Sequence, residues 1–191
     1  MMRFFFVLCF FAAIQFLSAQ QIDSAALERI EELTNALKGD SQYYCSIRFD
    51  RAVDYRSISE HEKAVLDLNY YIDNCGAMKM AYNLRAESNR KLKKYKESLV
   101  DYQKAYDLAY DGKGGIMFEI GFCYAQLEKT DSAIISYTKA IELDDTQDIC
   151  YYNRGLLLIN KGRNDEGCAD LKKAMTLGLA NAKYPYTDFC K

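Results

Sequence analysis

The sequence predicts an all-α protein: four antiparallel helix hairpins stacked as a solenoid behind one N-terminal capping helix. Three observations carry that reading. Small residues recur at a near-constant period through most of the chain, and apolar residues within each period follow helical spacing. The 191 residues also include only one proline, so long helical stretches run without a breaker. Half the residues are hydrophobic and 27% are charged, which is a folded-domain composition. A single histidine, His61, leaves no His-rich metal cluster to build.

The segment before the repeats is a predicted leader. Arg3 supplies a positive start, Phe4 to Leu17 is apolar apart from Gln15, and Ser18-Ala19 offers a small-residue cut before Gln20-Gln21. Residues 1–19 therefore have the layout of a secretory signal peptide, too short to span a bilayer. Cys9 lacks the small residues that a lipoprotein cut requires ahead of it, so no lipid anchor is expected, and no transmembrane span is expected in the mature chain. Loss of Arg3 with the leader leaves a mildly acidic protein with no electrostatic footprint for nucleic acid. The basic run Arg90-Lys91-Leu92-Lys93-Lys94 falls where a helix ends, where cations suit the dipole.

Residues 20–42 form the expected cap. From Asp23 to Lys38 the apolar residues Leu27, Ile30, Leu33 and Leu37 share one helix face, and Gly39 closes it. Four copies follow, at about 45–78, 79–113, 114–147 and 148–181. Ala64, Ser98, Ala133 and Gly167 recur at spacings of 34, 35 and 34, and so do Ala52, Ala86, Gly121 and Gly155. Leu68, Tyr102, Tyr137 and Leu171 keep the same frame. Ala105, Ala140 and Ala174 continue it in the last three copies, with Tyr71 at that place in the first. The one-residue insertion between copies two and three coincides with Gly112-Lys113-Gly114-Gly115, read as a loosened turn. It follows no strand and lacks the phosphate-loop pattern.

Each copy holds two helical stretches. In the third, Met117, Ile120, Gly121 and Tyr124 share one face, then Ala133, Ile134, Tyr137, Ala140 and Ile141 share another. Thr130 or Asp131 is the expected cap of the second helix. Small residues at fixed positions let the two helices approach closely, while the bulky Tyr or Leu one turn away fills the space beside them. One such hairpin cannot bury its apolar face alone, so copies stack and the ends need covers. The tail 182–191, with Pro185 among Tyr184, Tyr186 and Phe189, is expected to fold back as the second cap.

The period and the runs Tyr151-Tyr152-Asn153-Arg154-Gly155 and Ala133 to Leu143 resemble the tetratricopeptide repeat over about residues 45–181. The chain departs from that pattern at Arg48 and Met117, where an early aromatic is usual, at Tyr71, and in lacking the closing proline of each copy. The ending Asp170 to Gly178 also resembles the Sel1-like variant. The resemblance implies a right-handed solenoid whose first helices line a concave groove for a peptide or partner helix. By register that groove comprises Phe49 and Val53; Asn83, Glu87 and Arg90; Phe118 and Phe122; and Tyr152, Leu156 and Ile159. Phe49 and Val53 occupy places where a carboxylate-clamping member would carry Lys and Asn, so that ligand is not expected.

Six cysteines remain beyond the leader, at 45, 75, 123, 150, 168 and 190. They include no C-x-x-C pair, which argues against zinc. An exported chain permits disulfides. Antiparallel packing brings the start of the first helix of copy one, at Cys45, to the end of its second, at Cys75. Cys168 is placed to pin the tail through Cys190. Each link would add about 3 kcal/mol by loop entropy. The alternative is that cysteines pack as buried free thiols, the reading favoured for Cys123 and Cys150.

No catalytic constellation emerges. His61 stands between Glu60 and Glu62 at a helix start, and the acid pairs Asp144-Asp145 and Glu31-Glu32 are expected at solvated helix ends. No cofactor is expected. The reading is a non-enzymatic interaction scaffold or adaptor that takes a protein or peptide partner; the alternative is a self-associating structural protein whose groove another copy fills. The leader together with such repeats resembles small envelope proteins of Gram-negative bacteria, so a periplasmic or extracellular location is expected.

Overall fold

The computed structural model describes residues 23–39 and 43–190; the leader segment 1–19 lies outside them. All regular structure among the described residues is helical. The chain divides into two compact units, Met1–Ala77 and Met78–Lys191. In the first, helix α1 (residues 23–36) precedes the hairpin α2 (Tyr44–Ser57) and α3 (His61–Asn74). The second stacks three hairpins: α4 (Lys79–Lys91) with α5 (Tyr95–Asp107), α6 (Lys113–Gln126) with α7 (Thr130–Leu143), and α8 (Asp148–Asn160) with α9 (Asn164–Thr176). A 3₁₀ turn, Ala180–Ala182, and the short helix α10 (Lys183–Phe189) end it.

The small-residue frame is the seam of every hairpin. Ala52 and Ala64, Ala86 and Ser98, Gly121 and Ala133, and Gly155 and Gly167 are all fully or nearly fully buried. Space at the seam is exhausted in the last two hairpins. A Cβ on Gly121 would stand 2.8 Å from the Tyr137 ring, and one on Gly167 would stand 2.7 Å from the Gly155 carbonyl oxygen. Ser98 keeps the seam narrow while satisfying its own hydroxyl, which donates to the Ala86 carbonyl at 2.7 Å. Beside the seam, Leu68, Tyr102, Tyr137 and Leu171 are at most 1% exposed. Tyr102 gathers Ala86, Ala105, Ile116, Ile120 and Cys123 from three helices, and Tyr137 gathers Ala133, Ala140 and Cys150. The core of the second unit thus runs from hairpin to hairpin instead of collecting in one centre.

The turn inside each hairpin is also periodic. Ser59, Lys93, Glu128 and Gly162 all have positive φ, between 58° and 77°. The next residue donates its N–H five residues back: Glu60 to Tyr55, Lys94 to Asn89, Lys129 to Tyr124 and Arg163 to Leu158, at 2.8–2.9 Å. This backbone bond ties off the end of the first helix in each hairpin. Three of the four copies place a side-chain-bearing residue in a conformation that favours glycine, which is why residue type did not reveal the turn.

Several expectations are corrected. The packed face of α1 is Ala26, Ile30 and Leu33, whereas Leu27 is 55% exposed, because it lies about 100° around the helix from Ala26. The helix ends at residue 36, not at Lys38. Glu31 and Glu32 lie within α1 instead of at its end, on its exposed face. Neither Thr130 nor Asp131 caps α7: the helix begins at Thr130 behind Lys129 and has no side-chain cap. Gly112 does form a turn, at φ 67°, but Lys113 to Gly115 are already the first turn of α6.

The sulfurs of Cys45 and Cys75 stand at bonding distance, 2.03 Å, and join the start of α2 to the residue after α3. Cys168 in α9 is joined in the same way to Cys190 after α10. Cys123 and Cys150 are buried and free. The Cys123 thiol donates to Ser98 Oγ at 3.6 Å, and burial pushes the Cys150 thiol up to about 12.

Two outcomes follow from this packing. Gly167→Ala should lose about 1–3 kcal/mol in urea unfolding through seam overpacking, while Glu128→Gly, which relieves a left-handed residue, should gain about 1 kcal/mol. In the chain from Gln20 onward, an exposed-thiol reagent at pH 8 should label no cysteine in the native protein. After unfolding without reductant it should label two, Cys123 and Cys150; native labelling would show that burial does not protect them.

Candidate interaction surface

In three of the four repeats the first helix is held by a polar tie that the sequence reading missed. Arg51 grips Asp67 with two bonds, Nε–Oδ2 at 2.7 Å and Nη2–Oδ1 at 2.8 Å. Arg85 grips Asp101 the same way, at 2.8 and 2.6 Å, and Arg154 grips Asp170, at 2.7 and 2.8 Å. In each case the arginine is on the first helix and the aspartate, sixteen residues later, is buried on the second. A planar guanidinium meeting a carboxylate through two parallel bonds fixes the rotation of one helix against the other as well as their distance. In copy one, Arg48 adds a bond to Asp67 at 2.8 Å. In copy four, Arg154 also donates to Thr138 of the preceding α7 at 3.0 Å, so the tie reaches the neighbouring hairpin.

Copy three lacks the tie. Its corresponding residues are Ile120 and Ser136, both buried, with the Ser136 hydroxyl turned back to the Ser132 carbonyl at 2.9 Å. The arginines and aspartates recur at the same 34-residue period as the small residues, so the signal was present. A charged residue at helical spacing carries no mark that separates a buried pair from a solvated one.

The expected groove residues divide between the units. Phe49 and Val53 lie on α2 of the first unit; Phe49 packs on Tyr71, with ring centroids 5.2 Å apart, and Val53 is exposed. The stacking accounts for the large Tyr71 at a position that is small in the later copies.

The other eight expected residues are in the second unit, and they are not equivalent. Asn83, Glu87 and Arg90 line one face of α4. Arg90 reaches across to α6, where its guanidinium lies 5.3 Å from the Phe122 ring centroid and its Nε 3.0 Å from Glu119 Oε2. Burial raises the Glu119 carboxyl above its usual range, with Arg90 opposing the shift. Beside this pair, Lys79, Met80, Asn83, Ile116 and Glu119 line a cleft of about 450 Å³ between α4 and α6. Met80 is 57% exposed. Asn83 is half-buried at the cleft, and its amide carries both a donor and an acceptor.

Phe118, Phe122 and Tyr152 are not free aromatic patches. Phe118 packs on Tyr137 with centroids 6.0 Å apart, and Phe122 meets the Tyr95 edge at 6.4 Å. Tyr152, Leu156 and Ile159 pack around Leu171, Ala174 and the tail residue Ala182. Replacing these rings with aspartate would strike the core before it struck a ligand. Met80, Ile116 and Glu119 were not among the expected residues, since their register lies at the edge of the groove row.

Among the described residues, no three His, Cys, Asp or Glu side chains are placed to hold a metal ion, and no helix is long and apolar enough to cross a membrane.

Comparison with known proteins agrees with this geometry. A family model of the tetratricopeptide repeat matches residues 115–147 and 150–177, the stretches that form the third and fourth hairpins. No curated protein sequence matches the chain. The fold is shared with a crystal structure of MamA, at 23% identity and a TM-score of 0.72, over 81% of this chain and 90% of that one. MamA 41-end from Desulfovibrio magneticus RS-1 is similar at 17% identity and a TM-score of 0.71, over 83% and 92%. YrrB, described as a TPR protein with an unusual peptide-binding site, is similar at 20% identity and a TM-score of 0.68, over 84% and 82%. At such identities the likeness is one of fold.

The buried tie makes a specific demand. Asp101→Ala strands the Arg85 guanidinium and should cost about 3 kcal/mol in urea unfolding. The double change Arg85→Ile/Asp101→Ser, which installs the residues of copy three, should recover most of that loss. A double variant as unstable as the single one would show that the position cannot exchange its polar pair.

Proposed function

We propose that the chain is a non-enzymatic protein-interaction scaffold of the cell envelope, and that its second unit holds an extended peptide across α4 and α6. The cleft at Lys79, Met80, Asn83, Ile116 and Glu119 carries this reading. It joins an exposed apolar side chain, Met80, to a half-buried amide, Asn83, and a half-buried carboxylate, Glu119. An amide can donate to one peptide carbonyl and accept from one peptide N–H, so it holds a backbone whatever its sequence. Met80 supplies the apolar contact above the buried Ile116, and Glu119 selects among the polar side chains that follow. The narrow seams, and on α4 the Arg85–Asp101 tie, present these groups on helices that need not reorganise on binding, which lowers the ordering cost. The similarity in fold to YrrB, a protein described as having a peptide-binding site, supports the same reading. Export is supported by the layout of residues 1–19 and by two cysteine pairs at bonding distance, an arrangement suited to an oxidising compartment.

The test is affinity capture from envelope extract, comparing the chain from Gln20 with its Met80→Asp/Asn83→Ala variant after circular dichroism shows equal helicity. The native bait should hold a partner that the variant retains about tenfold less well, as expected when a central contact is removed. Equal retention would move binding off this cleft, and recovery of the bait alone would favour self-association. Cell fractionation should find the protein in the envelope with its N-terminus near Gln20; an intact leader on a cytoplasmic protein would overturn the location.

A further inference from the structure

The tail packs on the last hairpin as a 3₁₀ turn and a short helix. Helix α10 starts at Lys183, 35 residues after the start of α8, so it stands in the register of a further first helix. It is only seven residues long, below the length at which a helix sustains itself in water. Its seat is apolar: the extended Leu179, Ala182 at the end of the 3₁₀ turn and Tyr186 of α10 pack in one cluster with Leu171, Ala174 and Met175 of α9 and with Tyr152, Leu156 and Ile159 of α8. Only Ala182 is fully buried within the tail, while Tyr184 and Phe189 are 73% and 57% exposed. So short a helix with so little burial has a weak hold of its own, and Cys190 ties its far end to Cys168 on α9.

We propose that the end of the last hairpin is a seat for a short apolar segment, that residues 179–190 occupy it as a disulfide-latched resident, and that reduction of Cys168–Cys190 by a dithiol vacates it for a partner segment of the same form, an extended Leu and a tight turn ending in Ala followed by a short helix carrying Tyr. The resident itself defines the chemistry the seat accepts. In the opening step one thiolate of the dithiol attacks Cys190 Sγ, the S–S bond breaks, and Cys168 leaves as a thiolate that takes up a proton. The second thiol of the reductant then displaces Cys190, so the dithiol is oxidised to its disulfide and both protein cysteines end as thiols. The seat is a different place from the α4–α6 cleft, so the two readings stand or fall separately.

The test uses the chain from Gln20 with Cys168→Ser/Cys190→Ser, which retains Cys45 and Cys75, beside the oxidised wild type. Cys168→Ala/Cys190→Ala serves in its place if the serine pair lowers helicity. Trypsin should cut after the exposed Lys183 at least about tenfold faster in the variant, because local opening governs cleavage there. A fluorescein-labelled peptide of residues 179–190 carrying Cys190→Ser should bind the variant at least about tenfold more tightly than the oxidised wild type, and the same peptide with Tyr186→Asp should fail to bind. Met80→Asp/Asn83→Ala should leave peptide affinity unchanged. Equal cleavage of the two proteins would overturn the latch; equal or absent peptide binding after faster cleavage would overturn the seat.

Discussion

The structure depends on how closely two helices approach along each hairpin seam. Where Gly155 faces Gly167 the backbones nearly touch, and the Gly121 position is already filled by the Tyr137 ring. A narrow seam pushes the large side chains outward to either flank. In the second unit Tyr102, Tyr137 and Leu171 therefore project to where the next helix packs, and its core becomes a series of clusters handed along the chain. Burial per hairpin is small, and stability comes from repetition. The ends must then be closed, by α1 in the first unit and by the latched tail in the second.

Close approach alone leaves two smooth helices free to rotate about their axes. The bidentate arginine–aspartate ties remove that freedom in copies one, two and four. A buried ion pair is a weak source of net stability, because desolvation offsets the attraction; its geometric selectivity is the stronger effect. Copy three shows the alternative, with Ile120 at the arginine position packed directly on Tyr102 and Cys123. That copy also presents Glu119 to Arg90 across the cleft. The one hairpin without an internal tie is thus joined by an external one to its neighbour, at the place where a ligand would lie.

Much of the architecture was legible in the chain. The helix pairs and the seam residues follow from a period kept at several positions, because close packing tolerates few residue types and so leaves a strong trace; the cysteine pairings follow from the antiparallel hairpin and the folded-back tail that this period implies. Less of the interaction surface could be read. Phe118, Phe122 and Tyr152 occupy groove positions by register, yet each ring turns into packing with Tyr137, Tyr95 or the terminal cluster. Aromatic residues at helical spacing carry the same signature whether they face a ligand or the core. The Ser59, Lys93, Glu128 and Gly162 turns escaped notice for a related reason: the backbone bond that closes them needs no particular side chain.

The sequence by itself determined the all-helical class, the 34-residue repeat, the seam and the small number of places where cysteines could meet. Each of these follows from local spacing and from the volume a residue may occupy. Tertiary structure alone decided which face of α1 is packed, which charged residues are buried, and that Met80, Asn83, Ile116 and Glu119 share a cleft. Those outcomes depend on rotations between helices and on side-chain directions at contacts sixteen or more residues apart. A one-dimensional pattern constrains such rotations only after the helices have packed.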